Sequence, residues 1–147
     1  MNFRVTTTDI TWRLHLRAAP REVFEMWATE EGRARFWAET APETDGYIDF
    51  SFPNGQKWRA KILNKSAYRQ LQIVYIDNSM TTIDLAEDGH GGTELLLTDT
   101  GVATDTRTEV IAGWVSVLMC LKGAVDFGVD LRNHDPQRTW DRGYVEN

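Results

Sequence analysis

The sequence has 147 residues and a formal net charge of -6 at pH 7, because 22 Asp and Glu outnumber 16 Lys and Arg. A chain of this length can bury a core without metals or disulfides, and its 41% hydrophobic residues exclude extended disorder. The acidic balance, without a run of basic residues, disfavours nucleic-acid binding, so we expect one globular domain over residues 1–147.

The first predicted element is a β-strand over Ile10–Leu16, where apolar and polar side chains alternate strictly. Two short helices follow this strand. Pro20 is placed to occupy the first turn of one helix, and the other covers Glu30–Trp37. We expect the two helices to form a small corner beside the strand.

Between Gly46 and Val102 the hydrophobic pattern has a period of two. Turn residues divide this segment into five runs, which predicts an antiparallel meander. The predicted strands cover residues 47–52, 57–62, 71–76, 80–86 and 93–98. The second strand carries a basic row, Lys57, Arg59 and Lys61, that we expect on the solvated face of the sheet.

A long helix is predicted next, and its segment Val110–Val129 is almost wholly apolar. The segment is long enough to span a bilayer, but Lys122 and Asp126 lie inside it with the spacing of an exposed ion pair on a soluble helix. We therefore expect no membrane insertion. Gly128 ends the helix, and residues 131–147 form a tail that packs on the domain or on a partner subunit.

The long helix has more apolar residues than one buried stripe requires. The surplus consists of Ile111, Val115, Met119 and Phe127. Because a second apolar face needs a cover, we expect either the tail or a second copy of the chain on it. A homodimer through the helix or the tail is the resulting hypothesis.

A sheet with one buried face must pack against another layer, and the final helix is the predicted element large enough to supply it. The predicted fold is α+β. A curved six-stranded antiparallel sheet wraps around a long C-terminal helix, with two short helices after the first strand.

Three segments of the chain resemble motifs of one family. The family's N-terminal signature is matched by APREVFEMWATEEGRARFW, at Pro20, Val23, Phe24 and Trp37. Its last strand is similar to GGTELLLTDTGV, and its Gly-Trp-x-x-x-Leu-x-x-Leu helix to AGWVSVLMCL. These motifs resemble the START-related helix-grip (SRPBCC) superfamily, in the branch of homologues of the activator of heat-shock protein 90 ATPase. The resemblance covers nearly the whole chain.

The resemblance implies a helix-grip fold with a cavity between sheet and final helix that takes apolar or amphipathic small molecules. Members of the superfamily include lipid carriers, polyketide cyclases, hormone receptors and co-chaperones. The fold therefore does not by itself choose a function.

The sequence contains no standard catalytic, phosphate-binding or dinucleotide motif. His15, His90 and His134 are isolated from one another, so we expect solvated side chains and no metal site. Cys120 lies in the apolar helix, where we expect a small buried hydrophobe. No cofactor is expected.

Two carboxylates are candidates for general acid–base chemistry. Glu39 follows the second helix. Asp99 lies two residues after Leu97 and four after Leu95, so it would point to the same inward face of the strand as these two leucines. An inward carboxylate would have a raised pKa and could bind the polar end of a ligand. If the strand ends before Asp99, this residue only caps a turn.

Aromatic side chains at inward positions either pack the core or line a pocket. The residues expected to line a ligand cavity are Trp12, Trp37, Phe50, Phe52, Trp58, Tyr75, Trp114, Leu118 and Leu121.

The leading hypothesis is a domain that binds or carries a small apolar or aromatic ligand, a lipid or hydrophobic metabolite, between sheet and helix. A single cysteine and an N-terminus without a signal-peptide pattern place it in the cytoplasm. One alternative is a cyclase- or hydrolase-like enzyme, which needs an inward polar pair such as Asp99 with Tyr75 or Glu39. Another is a co-chaperone-like protein-interaction module. A large dry cavity would favour the ligand-binding domain, converging acidic side chains would favour the enzyme, and a filled interior would favour the protein-interaction module.

Overall fold

The structure is a computed structural model that describes residues 6–147. The N-terminal residues used in the signal-peptide argument lie partly outside this range. Its strands and helices are, in chain order, β1 (Thr7–Leu16), α1 (Pro20–Ala28), α2 (Glu30–Ala34), β2 (Glu43–Thr44), β3 (Tyr47–Ser51), β4 (Lys57–Ser66), β5 (Gln70–Val74), β6 (Met80–Glu87), β7 (Thr93–Ala103) and α3 (Arg107–Phe127).

The strands form one antiparallel sheet in the order β1-β7-β6-β5-β4-β3-β2. From β2 onward each strand pairs with the next one in the chain, while β1 pairs with β7. α3 packs on the inner face of the sheet and buries Trp114, Leu118 and Leu121. The predicted α+β helix-grip fold is confirmed.

Over the described residues the sheet has seven strands, so the expected six were one too few. The additional strand, β2, has two residues and pairs with the start of β3. The turn between them places Asp45 and Gly46 at positive φ, 53° and 81°. Asp-Gly is a preferred dipeptide for this tight hairpin turn, so it was the available signal for the extra strand.

The second helix is shorter than predicted, because α2 ends at Ala34 and Trp37 lies in the turn after it. Arg33 explains the bend. Its guanidinium is buried and donates from Nε and Nη2 to the carbonyl oxygen of Ala41, at 3.0 and 2.6 Å. This contact draws the chain back across the end of α2, and the Trp37 side chain is buried in the core.

The predicted ion pair of α3 forms, with 3.1 Å between Lys122 Nζ and Asp126 Oδ2, but it does not lie on an exposed face. The Asp126 side chain is 0% exposed and accepts the backbone N–H groups of Arg17 and Ala18, each at 3.0 Å. Lys122 also donates to the carbonyl oxygen of His15 at 2.7 Å. The pair therefore ties the end of α3 to the segment between β1 and α1.

By length and composition alone, α3 could also cross a membrane, since it has 21 residues and a window with a mean hydropathy of 1.7. Core helices of soluble proteins meet the same criterion. The burial of Trp114 and Leu118 and the contacts of Asp126 with the β1–α1 segment show that this helix packs on the sheet.

The tail after α3 folds back toward α2. Arg132 donates to the carbonyl oxygens of Ala34 at 2.7 Å and Ala38 at 2.9 Å. On α3, Val115 and Met119 remain 42% and 48% exposed. The tail therefore leaves part of the surplus apolar face of α3 open.

We expect Asp126→Ala to lower the free energy of unfolding by about 1–3 kcal/mol, because two backbone N–H groups lose a buried acceptor. Urea unfolding followed by tryptophan fluorescence measures the change. Lys122→Met is the matched control, since it removes the ion pair but keeps the carboxylate, and its effect should be smaller. Equal stability of Asp126→Ala and the wild type would show that this carboxylate does not anchor α3.

Candidate functional site

Aromatic side chains from the helices and the sheet meet in one cluster around Trp37. The centroid of the Trp37 ring lies 4.6 Å from that of Phe50 on β3 and 5.5 Å from that of Tyr75, just after β5. It lies 5.9 Å from Trp114 on α3 and 5.0 Å from Trp27 on α1. Because each ring comes from a different element, the cluster forms only when the helices close onto the sheet.

The cluster reaches the surface at the β3–β4 hairpin, where Phe52 and Trp58 are half-buried. Their ring centroids are 4.2 Å apart, and Trp58 lies 6.0 Å from Tyr75. Trp140 from the tail lies over them, 5.2 Å from Phe52 and 6.1 Å from Trp58, and is 38% exposed. We call the group of rings formed by Trp37, Phe52, Trp58 and Tyr75 the aromatic cleft; Trp37 is buried at its base and the other three are half-buried.

Little empty space remains beside the aromatic cleft. A pocket of about 40 Å³ is bordered by Trp37, Phe52, Val117 and Cys120, among others. One water molecule occupies about 30 Å³ in the liquid. Aromatic side chains therefore fill this part of the interior, which argues against carriage of a large lipid in this conformation.

The structure brings most of the expected cavity residues into the cluster: Trp37, Phe50, Phe52, Trp58, Tyr75 and Trp114. Leu118 and Leu121 are buried on the inner side of α3. Trp12 is half-buried against the core and makes no ring contact with the others over residues 6–147. Trp140 was not among the expected cavity residues, because its tail was expected only as a possible cover for the final helix; an aromatic residue within a polar tail was the signal for it.

Asp99 lies inside β7, so the interpretation that it caps a turn was wrong. The residue is 1% exposed, and its carboxylate accepts Nε1–H of Trp114 at 2.9 Å and the hydroxyl of Thr81 at 3.1 Å. Burial raises the pKa of Asp99, and the hydrogen bonds from Trp114 and Thr81 act against this rise. With these contacts the carboxylate serves as a structural acceptor between sheet and helix.

The candidate acids Asp99 and Glu39 have different hydrogen-bond partners in the structure. Glu39 is partly exposed, and its Oε1 lies 2.5 Å from Nδ1 of His134. Over the described residues, no hydrogen bond joins Asp99 to Tyr75 or Glu39. The two candidate carboxylates therefore have separate partners and do not form one reacting site.

His134 is not simply solvated as expected, because it lies between two carboxylates. Its Nε2 is 2.6 Å from Asp130, in addition to the Nδ1 contact with Glu39. Burial lowers the pKa of His134, but the hydrogen bonds with Asp130 and Glu39 outweigh this effect and raise it. Burial of Asp130 would raise its pKa, but hydrogen bonds from Arg132 hold it at about 2. This cluster fastens the tail beside the aromatic cleft.

A larger groove, of about 1040 Å³, lies where the start of α1 meets the β4–β5 turn. It is bordered by polar side chains that bind one another, with Asn64 donating to Gln70 at 2.6 Å and Gln70 donating to Asp84 at 2.8 Å. These three side chains therefore already have partners, whereas Arg69 and Glu87, which also border the groove, make no side-chain hydrogen bond with the described residues.

Comparison with known proteins gives one family. Residues 17–126, most of the chain, match the family described as Activator of Hsp90 ATPase homolog 1-like protein. No curated protein matches the sequence.

Solved structures share the fold. A protein from Staphylococcus saprophyticus is 21% identical with a TM-score of 0.74, over 85% of this chain and 96% of its own. The Aha1 dimer from Colwellia psychrerythraea is 18% identical with a TM-score of 0.73, and the match covers 82% of this chain and 98% of that one. The AHSA1-like protein from Aeromonas hydrophila is 18% identical with a TM-score of 0.72, over 82% and 94%. At these identities the likeness concerns the fold.

We expect the stabilisation supplied by His134 to disappear as the pH rises. The folded-state pKa of this residue is raised above 6.5, so its contribution is complete below pH 6.5 and is lost as the pH passes the folded pKa. Urea titrations at several pH values measure the free energy of unfolding of both proteins. The difference between the wild type and His134→Gln should shrink as the pH rises from 6.5 through the folded-state pKa of His134. His90→Gln, in an exposed turn, is the control. A pH-independent difference between wild type and His134→Gln would contradict the ion-pair account.

Proposed function

The chain belongs to the family of Activator of Hsp90 ATPase homolog 1-like proteins, and we propose that it is a cytoplasmic domain that binds a small apolar or aromatic molecule in the aromatic cleft. The family is part of the SRPBCC superfamily, a scaffold known for binding hydrophobic ligands. Aromatic walls with a few polar groups are typical of small-molecule sites. Trp37, Phe52, Trp58 and Tyr75 provide such a wall.

The position of Trp140 carries this proposal. Its indole leaves a polar tail and packs edge-on against Phe52 and Trp58, at interplanar angles of 84° and 67°. The aromatic cleft thus already accommodates a ring that arrives from outside the core. Because Trp140 remains 38% exposed, replacing it by a ligand ring sacrifices fewer contacts than opening the buried cluster.

The ligand enters by displacing Trp140, because a pocket of about 40 Å³ is too small for an aromatic molecule. Near this ring one long hydrogen bond joins the tail to the β3–β4 hairpin, 3.3 Å from Asn54 Nδ2 to Asp141 Oδ1. Within the tail, the backbone N–H of Trp140 donates to Asn147 at 3.1 Å, and the preceding Thr139 is buried. Arg132 and His134 hold the tail further back. We propose that the Trp140 side chain turns away from the aromatic cleft while the backbone of the tail stays attached.

We expect diphenylmethane, a neutral molecule with two phenyl rings, to bind the wild type in isothermal titration calorimetry. Trp140→Ala should bind it about tenfold more tightly, because the competing indole and its ring contacts are gone. Phe52→Ala should bind it about tenfold more weakly, because a ring of the cleft is lost.

Tyr68→Ala is the matched control for these variants. Tyr68 is an aromatic residue with 43% exposure that borders the polar groove instead of the aromatic cleft. Its replacement should leave the affinity for diphenylmethane unchanged. Absence of binding to both the wild type and Trp140→Ala would refute the aromatic cleft as a small-molecule site.

A second candidate function is self-association through the exposed face of α3. Val115 and Met119 are 42% and 48% exposed one turn apart, and Leu131 just beyond the helix is 48% exposed. Adjoining exposed apolar residues mark interaction surfaces. A structurally similar protein from Colwellia psychrerythraea is described as a dimer. We propose that a second copy of this chain covers the face, as a two-fold interface permits.

We expect the wild type to sediment as a dimer at micromolar concentration and Val115→Lys combined with Met119→Lys to sediment as a monomer. The charged side chains would have to be buried without partners in the interface. Leu63→Lys is the control, because Leu63 is similarly exposed, at 45%, on β4. A wild type that is monomeric in the same analytical ultracentrifugation experiment would contradict the dimer.

A further inference from the structure

Tyr75 offers a free hydrogen-bond donor at the aromatic cleft. Its hydroxyl oxygen accepts Nε1–H of Trp37 at 3.0 Å. Over residues 6–147, no acceptor takes the hydroxyl proton itself. Burial raises the pKa of Tyr75, and the nearby carboxylate of Asp99 adds to the rise. The hydroxyl therefore keeps its proton, and its ability to donate, at physiological pH.

Trp58 offers a second donor at the same place. Its Nε1 is buried and has no acceptor in hydrogen-bond geometry among the described residues, and its ring centroid lies 6.0 Å from that of Tyr75. Trp12 and Trp27 also have buried, unpartnered indole nitrogens. Trp12 lies apart from the ring cluster and Trp27 is 0% exposed, whereas Trp58 is half-buried beneath Trp140, whose displacement would uncover it.

We infer that the aromatic cleft selects apolar aromatic molecules that carry a neutral hydrogen-bond-accepting oxygen, such as a ketone or ester carbonyl, bound by the Tyr75 hydroxyl and the Trp58 indole. This inference rests on the proposed function and adds the polar group of the ligand to it. A carbonyl oxygen has two lone pairs and can accept from both donors at once. Buried donors without an acceptor are costly, so a ligand that supplies one is favoured over a hydrocarbon of the same shape.

The charges around the cleft favour a neutral acceptor over a carboxylate. The carboxylate of Asp99 lies behind the cleft, where it accepts Nε1–H of Trp114, whose ring lies 5.4 Å from that of Tyr75, and its negative charge would repel an anionic ligand. Arg132 borders the small pocket, but its guanidinium is bound to Asp130 and to the carbonyl oxygens of Ala34 and Ala38. It therefore has little capacity left to neutralise a second carboxylate.

Benzophenone and diphenylmethane are matched probes, because they share two phenyl rings and differ in a carbonyl group. Their dissociation constants are measured by isothermal titration calorimetry for the wild type, Tyr75→Phe and Trp58→Phe. We expect the wild type to bind benzophenone roughly tenfold more tightly than diphenylmethane. Each variant removes one donor and should reduce this ratio at least about threefold.

Two further measurements keep the comparison interpretable. Tyr75→Phe also deprives Trp37 of its acceptor, so thermal unfolding verifies the folded state. Trp58→Phe removes the indole N–H together with the five-membered ring but keeps a six-membered aromatic ring. Because both probes lose the same packing surface, their affinity ratio still tests the inference if Tyr75→Phe does not fold. Tyr68→Phe, outside the aromatic cleft, should keep the wild-type ratio.

The outcomes separate the two levels of the proposal. A wild type that binds both probes with equal affinity overturns the acceptor inference and leaves the proposed function standing. A preference for benzophenone that persists in both variants overturns the roles of Tyr75 and Trp58. Binding of neither probe overturns the proposed function and the inference together.

Discussion

The buried carboxylate of Asp99 joins the long helix to the sheet, and the geometry of the aromatic cleft depends on it. It accepts Nε1–H of Trp114 on α3 and the hydroxyl of Thr81 on β6. A buried carboxylate needs such donors, because it has lost its hydration. With the indole held at its nitrogen, the Trp114 ring lies 5.9 Å from Trp37 and 5.4 Å from Tyr75. Rotation of α3 about its axis would break this contact.

An empty apolar cavity lowers the stability of a protein, and the loss grows with the volume of the cavity. Here the interior is filled by rings, and the outermost ring, Trp140, comes from the tail. The tail is anchored at a distance from that ring by Arg132 and by the contact of His134 with Glu39. Under the proposed function, this division between a firm anchor and an exposed cover lets a small ligand take the place of Trp140, whereas the filled interior leaves no room for a large lipid.

The local pattern of the sequence predicts the fold well. Period-two segments became β-strands, and Gly128 ends α3 at a φ of 66°. Some errors are local, such as the missed strand β2 and the early end of α2, and others concern contacts between distant residues. The burial of Asp126 against Arg17 and Ala18 spans more than a hundred residues, and helix periodicity carries no information about it.

The candidate site was predictable in part, for the same physical reason. Successive side chains of a strand point to opposite faces of the sheet. The alternating pattern therefore predicted correctly that Phe50 and Trp58 face inward. The role of Asp99 depended on whether β7 extends past it, which it does, since the strand ends at Ala103. The hydrophobic pattern of a sequence marks strand ends poorly. Trp140 and His134 lie in an irregular tail without periodicity, so only the folded chain shows what they contact.

The central claim is that the aromatic cleft receives the ligand and that Trp140 yields its place. NMR of the indole N–H groups of the six tryptophans during a benzophenone titration tests this most directly. The account predicts large shifts for Trp58 and Trp140 and a much smaller one for the fully buried Trp27. Unchanged Trp58 and Trp140 signals, with shifts confined to the groove around Tyr68, would contradict it.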